Sequence, residues 1–402
     1  MRIAELRTTA VAVPQHRTYR SSWRRSGHGT SALQAVLVEL VTDDGPTGIG
    51  EAPVVWAGSA EATVALVEAV APLVVGADPL DHDLVRRRLY AETGMAHLGT
   101  QGMSWALSGI DTALWDLAGR ILGQPLHRLW GGAWRTRSGF HADLVPDEPA
   151  AMAEDARQRV AEGFRTLYLK VGFAPEEDEA RVRAVREAVG DGPRLRIDAN
   201  GAWSPGLAKR LLDRLAAYDL EYAEQPIGPG DPAELARLRA RVAVPILAHE
   251  SSLSVEGTLA VVRHGAADAV QLDPRFDAGI AGAHTAAQIA EVAGLPALTH
   301  TFGELGVGTA LMLHFHAAHR NLVLDSQTYY PNLTDDVIRG GPLRFDGCFL
   351  DVPTGPGLGV ELDPDRVAHY AAYHAREVAG RPAPPPPDDP YYDREYLIRP
   401  RV

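Results

Sequence analysis

Three acidic residues close short apolar runs in the second half of the chain. They are Asp198 in Arg196-Ile197-Asp198-Ala199-Asn200-Gly201, Glu224 in Tyr222-Ala223-Glu224-Gln225-Pro226, and Glu250 in Ala248-His249-Glu250-Ser251. Carboxylates converging on one point repel each other unless a cation sits among them. Oxygen donors with positions left for water and substrate suit Mg²⁺. His249 adjoins Glu250 and competes as the third donor, but an imidazole suits a softer metal, so a Mg²⁺ site favours Glu250. Asn200, two residues past Asp198, would position that carboxylate or touch substrate.

Lys170 closes the run before Asp198. Of 39 basic residues only Lys170 and Lys209 are lysine. Where this chain needs plain positive charge it uses arginine, which stays protonated. A lysine can release its proton, more readily beside a divalent cation, and act as a base. His300, in Leu298-Thr299-His300-Thr301, follows Asp273, in Gln271-Leu272-Asp273-Pro274-Arg275, by one run. A carboxylate bonded to one ring nitrogen fixes the tautomer and raises the basicity of the other nitrogen. Asp325 closes the last run and, if protonated, would meet a developing enolate oxygen. With Lys170 and His300 on opposite sides of a metal, this set fits removal of the proton next to a chelated carboxylate.

The elements that must place these residues follow a beat. From about residue 135, apolar runs ending near Asp143, Lys170, Asp198, Glu224, Glu250, Asp273, His300 and Asp325 alternate with amphipathic stretches such as 149–163, 204–217, 231–241 and 279–293. One strand, one helix and two loops, repeated eight times, predict a (β/α)₈ barrel of the TIM type, with its site where the strands end. A doubly wound sheet also alternates strand and helix, but would not end nearly every strand in an ionisable residue. Before the barrel, strands are expected at 2–13, 33–42 and 47–53, the last two split by Asp43-Asp44-Gly45-Pro46. Helices are expected near 59–75, 80–92 and 101–122. The division reads as an N-terminal α+β capping domain (1–130), a barrel (131–350), and a C-terminal segment (351–402) that returns to the capping domain and ends in a Pro-rich tail.

Composition narrows the partners. A net charge of −13 argues against nucleic acid or an anionic membrane. No apolar run is long enough to span a bilayer, and Met1–Glu5 does not open an apolar leader. The single cysteine, Cys348, gives no internal disulfide. A cytoplasmic location is expected.

These residues resemble the enolase superfamily, and within it the mandelate racemase/muconate lactonizing enzyme group. The resemblance covers most of the chain and includes Ala113-Leu114-Trp115-Asp116, Gly131-Gly132, and the segment from Gly355 to Leu362. It implies that Asp198, Glu224 and Glu250 bind Mg²⁺, and that His300 and Asp273 form the family's His–Asp dyad, as in the mandelate racemase branch. Asp325 then stands where the family usually has a last-strand Glu. The family's Lys-x-Lys motif maps onto Tyr168-Leu169-Lys170, so only its second lysine is present, and Tyr168 is a candidate substrate contact. Loops of the capping domain choose the substrate in this family. Here they would bring Arg20, Arg24 and His28, a basic set suited to an anionic small molecule. A homo-oligomer is the family-level expectation.

The first functional expectation is dehydration of a hydroxy acid such as a sugar acid. Racemisation or epimerisation comes second and cycloisomerisation third, because all share the same first step. Readings of another kind are a non-catalytic metal-binding protein on this fold, or an aldolase-type metal-dependent barrel.

Overall fold

The computed structural model describes residues 1–17, 32–54, 60–93, 101–276 and 279–380. Arg20, Arg24, His28 and the tail from 381 lie outside the described residues.

Three strands open the fold as an antiparallel meander: β1 (Ile3–Pro14), β2 (Ala32–Thr42) and β3 (Thr47–Pro53). Helices α1 (Ala60–Ala69) and α3 (Gln101–Leu122) pack on this sheet, and α2 (His82–Glu92) packs on α3. Glycines let α3 approach β3 closely. A Cβ at Gly50 would stand 2.0 Å from the Gly109 carbonyl oxygen, and one at Gly48 would stand 2.3 Å from that of Ala113. Ile3, Val38, Leu40, Ile110 and Leu114 fill the seam, each worth roughly 1.5–3 kcal/mol when fully buried.

The barrel strands follow. After β4 (Arg137–Gly139) come β5 (Ala142–Leu144), β6 (Thr166–Lys170), β7 (Arg194–Asp198), β8 (Leu220–Glu224), β9 (Ile246–Ala248), β10 (Ala269–Leu272) and β11 (Ala297–Thr299). The strands β5 to β11 form one parallel sheet in consecutive order. The helices between and after them are α4 (Pro149–Ala161), α5 (Pro175–Val189), α6 (Pro205–Leu215), α7 (Pro232–Arg239), α8 (Val255–His264), α9 (Gly279–Val292) and α10 (Gly306–Ala318). Ser204, Asp231 and Ser254 start α6, α7 and α8 by accepting the N–H of Leu207, Ala233 and Gly257, as helix N-caps do.

The eighth place is taken by residues 324–327 without a regular strand. Leu324 N donates to Ala297 O and Gln327 N to Thr299 O, at 3.3 and 3.0 Å. On the other side Ser326 N donates to Gly139 O and His141 N to Ser326 O, at 2.9 and 3.0 Å. These bonds close the barrel between β11 and the lead-in to β5. The chain then forms β12 (Phe349–Asp351), paired with β4, and α11 (Pro364–Glu377), whose Tyr370 packs with Val11 and Val13 of β1.

Buried acids stitch the first sheet and α3 to the barrel. Glu51 on β3 accepts the N–H groups of Leu305 and Gly308 at the start of α10, both at 2.8 Å. Asp111 on α3 accepts from Ile280 N at the start of α9, at 2.7 Å. These side-chain oxygens meet backbone N–H groups that a helix start leaves without an intrahelical partner. No helix among the described residues is long and apolar enough to cross a membrane.

Candidate active site

Strand pleating decides which side chains reach the mouth. Tyr222, Leu247, Ala269 and Leu298 cluster inside the barrel. Because alternate residues share a face, the same face continues to Glu224, His249, Gln271, Asp273 and His300. Tyr168 and Arg196 lead likewise to Lys170 and Asp198. The intervening Leu167, Leu169, Leu195, Ile197 and Ala223 face the helices.

Lys170 is buried and ion-paired with Asp198; its Nζ donates to Asp198 Oδ2, to Asn200 Oδ1 at 2.9 Å and to the Tyr168 hydroxyl at 3.2 Å. The Tyr168 hydroxyl donates to Asp198 Oδ2 at 2.6 Å, and its ring stacks on His141. Tyr168 thus holds Lys170 and Asp198 in place. Asn200 follows the positioning alternative. Its N–H donates to Asp198 Oδ1 at 2.7 Å and its Nδ2 to Glu250 Oε1 at 3.0 Å.

The acids respond to one another. Burial opposes the charge on Asp198, but Lys170 beside it holds the carboxyl below its ordinary value. Burial and then the Asp198 charge push Glu224 up to about 7. His249 Nδ1 lies 3.1 Å from Glu224 Oε1 and 3.4 Å from Glu250 Oε2. Burial works to lower this imidazole, yet Glu250, Glu224 and Asp198 outweigh it and raise it to about 9. Gln225 fixes the backbone here, accepting the N–H groups of His249 and Ser251 on Oε1, both at 3.1 Å.

Across the mouth, His300 Nδ1 lies 3.1 Å from Asp273 Oδ2. A carboxylate only accepts, so Nδ1 carries the proton and Nε2 is bare. Arg275 Nε and Nη2 also bond Asp273, and Arg275 Nη1 bonds Glu304 at 3.0 Å. Burial opposes the Asp273 charge, but Arg275 and then His300 hold it at about 2. Burial, then the His249 charge, push His300 down to about 3 against the pull of Asp273.

One expected site residue is elsewhere. Asp325 accepts from Arg165 Nε and Nη2 at 2.9 and 2.5 Å, from Arg194 at 3.0 Å and from the Thr166 hydroxyl at 2.7 Å. Thr166 and Arg194 begin β6 and β7, so this carboxylate lies at the end of the barrel opposite the mouth. It cannot meet an enolate oxygen there. The eighth position at the mouth belongs to Gln327, whose Nε2 donates to Tyr329 Oη at 3.1 Å and to Asp143 Oδ1 at 3.4 Å. Burial pushes Asp143 up to about 8, although nearby Lys170 pulls it down. Asp143 was read only as a strand end, and Gln225, Arg275 and Gln327 were not singled out in the sequence. Arg275 carried a signal, standing two residues past Asp273, but arginine is too common in this chain to stand out.

The donors suit a divalent cation. Asp198, Glu224 and Glu250 supply hard oxygens, and Glu250 Oε2 is buried with no hydrogen-bond partner, as is Nε2 of His249. Among the described residues no three His, Cys, Asp or Glu side chains form a ready-made cage. The Lys170 ammonium holds Asp198 instead.

An eight-position barrel with acids and bases at its mouth, capped by an α+β unit, defines the enolase class of fold. Residues 151–366 match the enolase C-terminal domain-like family, and residues 7–131 match the mandelate racemase/muconate lactonizing enzyme N-terminal domain. The chain belongs to the mandelate racemase/muconate lactonizing enzyme-like branch of the enolase superfamily. It is 32% identical over 354 residues to D-galactarolactone cycloisomerase of Agrobacterium fabrum, covering 83% of this chain and 90% of that protein. It is 28% identical to L-Ala-D/L-Glu epimerase of Bacillus subtilis, covering 90% and 97%. The crystal structure of a dipeptide epimerase from Cytophaga hutchinsonii, complexed with Mg and D-Ala-L-Val, superposes with a TM-score of 0.85 at 27% identity, covering 92% and 98%.

Proposed function

We propose that this chain is an isomerase that removes the α-proton of a small carboxylate and returns a proton to the same molecule, as an epimerase, racemase or cycloisomerase. The observation that carries this reading is the pair Lys170 and His300. They end β6 and the β11 run, on either side of the strands bearing Asp198, Glu224, His249 and Glu250. A divalent cation such as Mg²⁺, held by Asp198 and Glu224 with a third donor from His249–Glu250, would neutralise the substrate carboxylate and favour loss of the adjacent proton.

The two bases differ in state. His300 presents a bare Nε2 and accepts a proton as it stands. Lys170, ion-paired with Asp198, donates one from the other side. Run in reverse, the roles exchange. One acid and one base facing each other are what inversion at a single carbon needs.

Dehydration, the first expectation from sequence, begins with the same step, but the relatives described above are named as a cycloisomerase and epimerases. Cycloisomerisation is the second reading, favoured by the 32% identity to the galactarolactone enzyme. The test is a panel of sugar acids, their lactones and dipeptides with Mg²⁺ in D₂O. Deuterium at the α-carbon with changed optical rotation supports epimerisation. Lactone conversion supports cycloisomerisation. A 2-keto acid product would return the assignment to dehydration.

A further inference from the structure

We propose that the third metal donor is the His249 imidazole rather than the Glu250 carboxylate, so that the site takes a borderline divalent cation such as Mn²⁺ or Co²⁺ in preference to Mg²⁺. This rests on the reading above that the mouth binds a divalent cation.

Pleating is the first argument. His249 continues the inward face of β9 from Leu247, whereas Glu250 is out of phase and begins a short 3₁₀ turn, Glu250–Ser252. The side chains agree with that phase. His249 is only 6% exposed, and its Nε2 is buried with no hydrogen-bond partner. Its Nδ1 faces Glu224 Oε1 at 3.1 Å and Glu250 Oε2 at 3.4 Å, so the ring pairs with the same acids that would share an ion with it. A buried ring with one nitrogen unpaired and the other set among carboxylates suits an ion placed between them.

Glu250 also has one buried oxygen, Oε2, without a hydrogen-bond partner, but the rest of its side chain is placed differently. One quarter of its side chain is exposed, and its Oε1 is taken by Asn200 Nδ2 at 3.0 Å. The backbone at His249 is fixed by Gln225, next to Glu224 in the chain, and the His249 ring packs on His300 with centroids 4.4 Å apart. The imidazole is thus held beside both a carboxylate donor and the proposed base. Nitrogen donors shift preference from Mg²⁺, which favours oxygen, toward borderline metals.

The full chain, stripped of metal, would be titrated with Mn²⁺ and Mg²⁺ by calorimetry, and its Mn²⁺ form examined by pulsed EPR. The wild type should show ¹⁴N coupling from a directly bound imidazole. His249→Ala should lose that coupling and bind Mn²⁺ at least about tenfold more weakly, while Glu250→Gln stays within about threefold. His249→Asp, which restores an oxygen donor, should narrow the preference for Mn²⁺ over Mg²⁺. Mn²⁺ binding that is weakened by Glu224→Gln but shows no ¹⁴N coupling, or coupling that survives His249→Ala, overturns the inference and leaves the metal reading standing. No binding of either cation by the wild type overturns both. The wild-type spectrum decides the matter even if His249→Ala fails to fold.

Discussion

Arg275 clasps both carboxylate oxygens of Asp273, with Nε at 2.9 Å from Oδ1 and Nη2 at 2.8 Å from Oδ2. His300 shares the second oxygen. The dyad legible in the sequence is a triad in space, and all three groups are buried. The guanidinium fork orients Asp273, and Asp273 orients the imidazole. Arg275→Met would strand the buried carboxylates of Asp273 and Glu304, for a loss of about 3–5 kcal/mol. Arg275→Lys keeps the charge but not the fork. Thermal melts should rank the wild type above Arg275→Lys, and that above Arg275→Met.

Lys170→Arg separates charge from proton transfer. Arginine can still pair with Asp198, so the fold should be kept, but it does not release a proton at working pH. Exchange of the α-proton of the isomer that Lys170 deprotonates should fall by about 10²- to 10⁴-fold, the usual worth of a positioned acid or base. Exchange at the wild-type rate would remove Lys170 from the chemistry.

Glu51 gives a pH prediction. Burial pushes this carboxyl from its ordinary value of 4.5 up to about 8, although the Leu305 and Gly308 N–H groups pull it down. The folded protein therefore holds this proton more tightly than the unfolded chain. Its contribution is fully present below about pH 4.5 and is lost as pH rises through about 8. Glu51→Gln should flatten the decline of Tm between those limits relative to the wild type. Parallel Tm curves would contradict this.

Asp325 should matter for stability and not for the reaction. Asp325→Asn weakens its bonds to Arg165, Arg194 and Thr166 at the far end of the barrel. The expected loss is about 1–3 kcal/mol in unfolding free energy. The exchange rate of the folded fraction should stay within a few-fold of wild type. Urea titration and exchange kinetics on one preparation check both halves.

The barrel and most of its mouth were legible because each strand is short, apolar and ends in an ionisable residue. Lys170, Asp198 and Glu224 each end a strand. The reading failed where pleating and closure matter more than spacing. At β9 the chain offers His249 and Glu250 in succession, and spacing alone does not separate them, whereas the strand phase set by Leu247 does. At the eighth position the backbone is irregular, so Asp325 turns to the opposite end while Gln327 meets Asp143. The partners of Tyr168 were equally hidden, since its hydroxyl bonds Asp198 across the strand boundary between β6 and β7.

Face-resolved hydrogen exchange separates the roles of Lys170 and His300. Both stereoisomers of a turned-over carboxylate, in D₂O with Mg²⁺ or Mn²⁺, would be followed by NMR with the wild type, Lys170→Ala and His300→Asn. The account predicts that the wild type labels the α-carbon from either isomer. Each variant should retain labelling of only one isomer, a different one in the two cases. Equal labelling of both isomers by either variant, or no α-deuterium during turnover by the wild type, would contradict it.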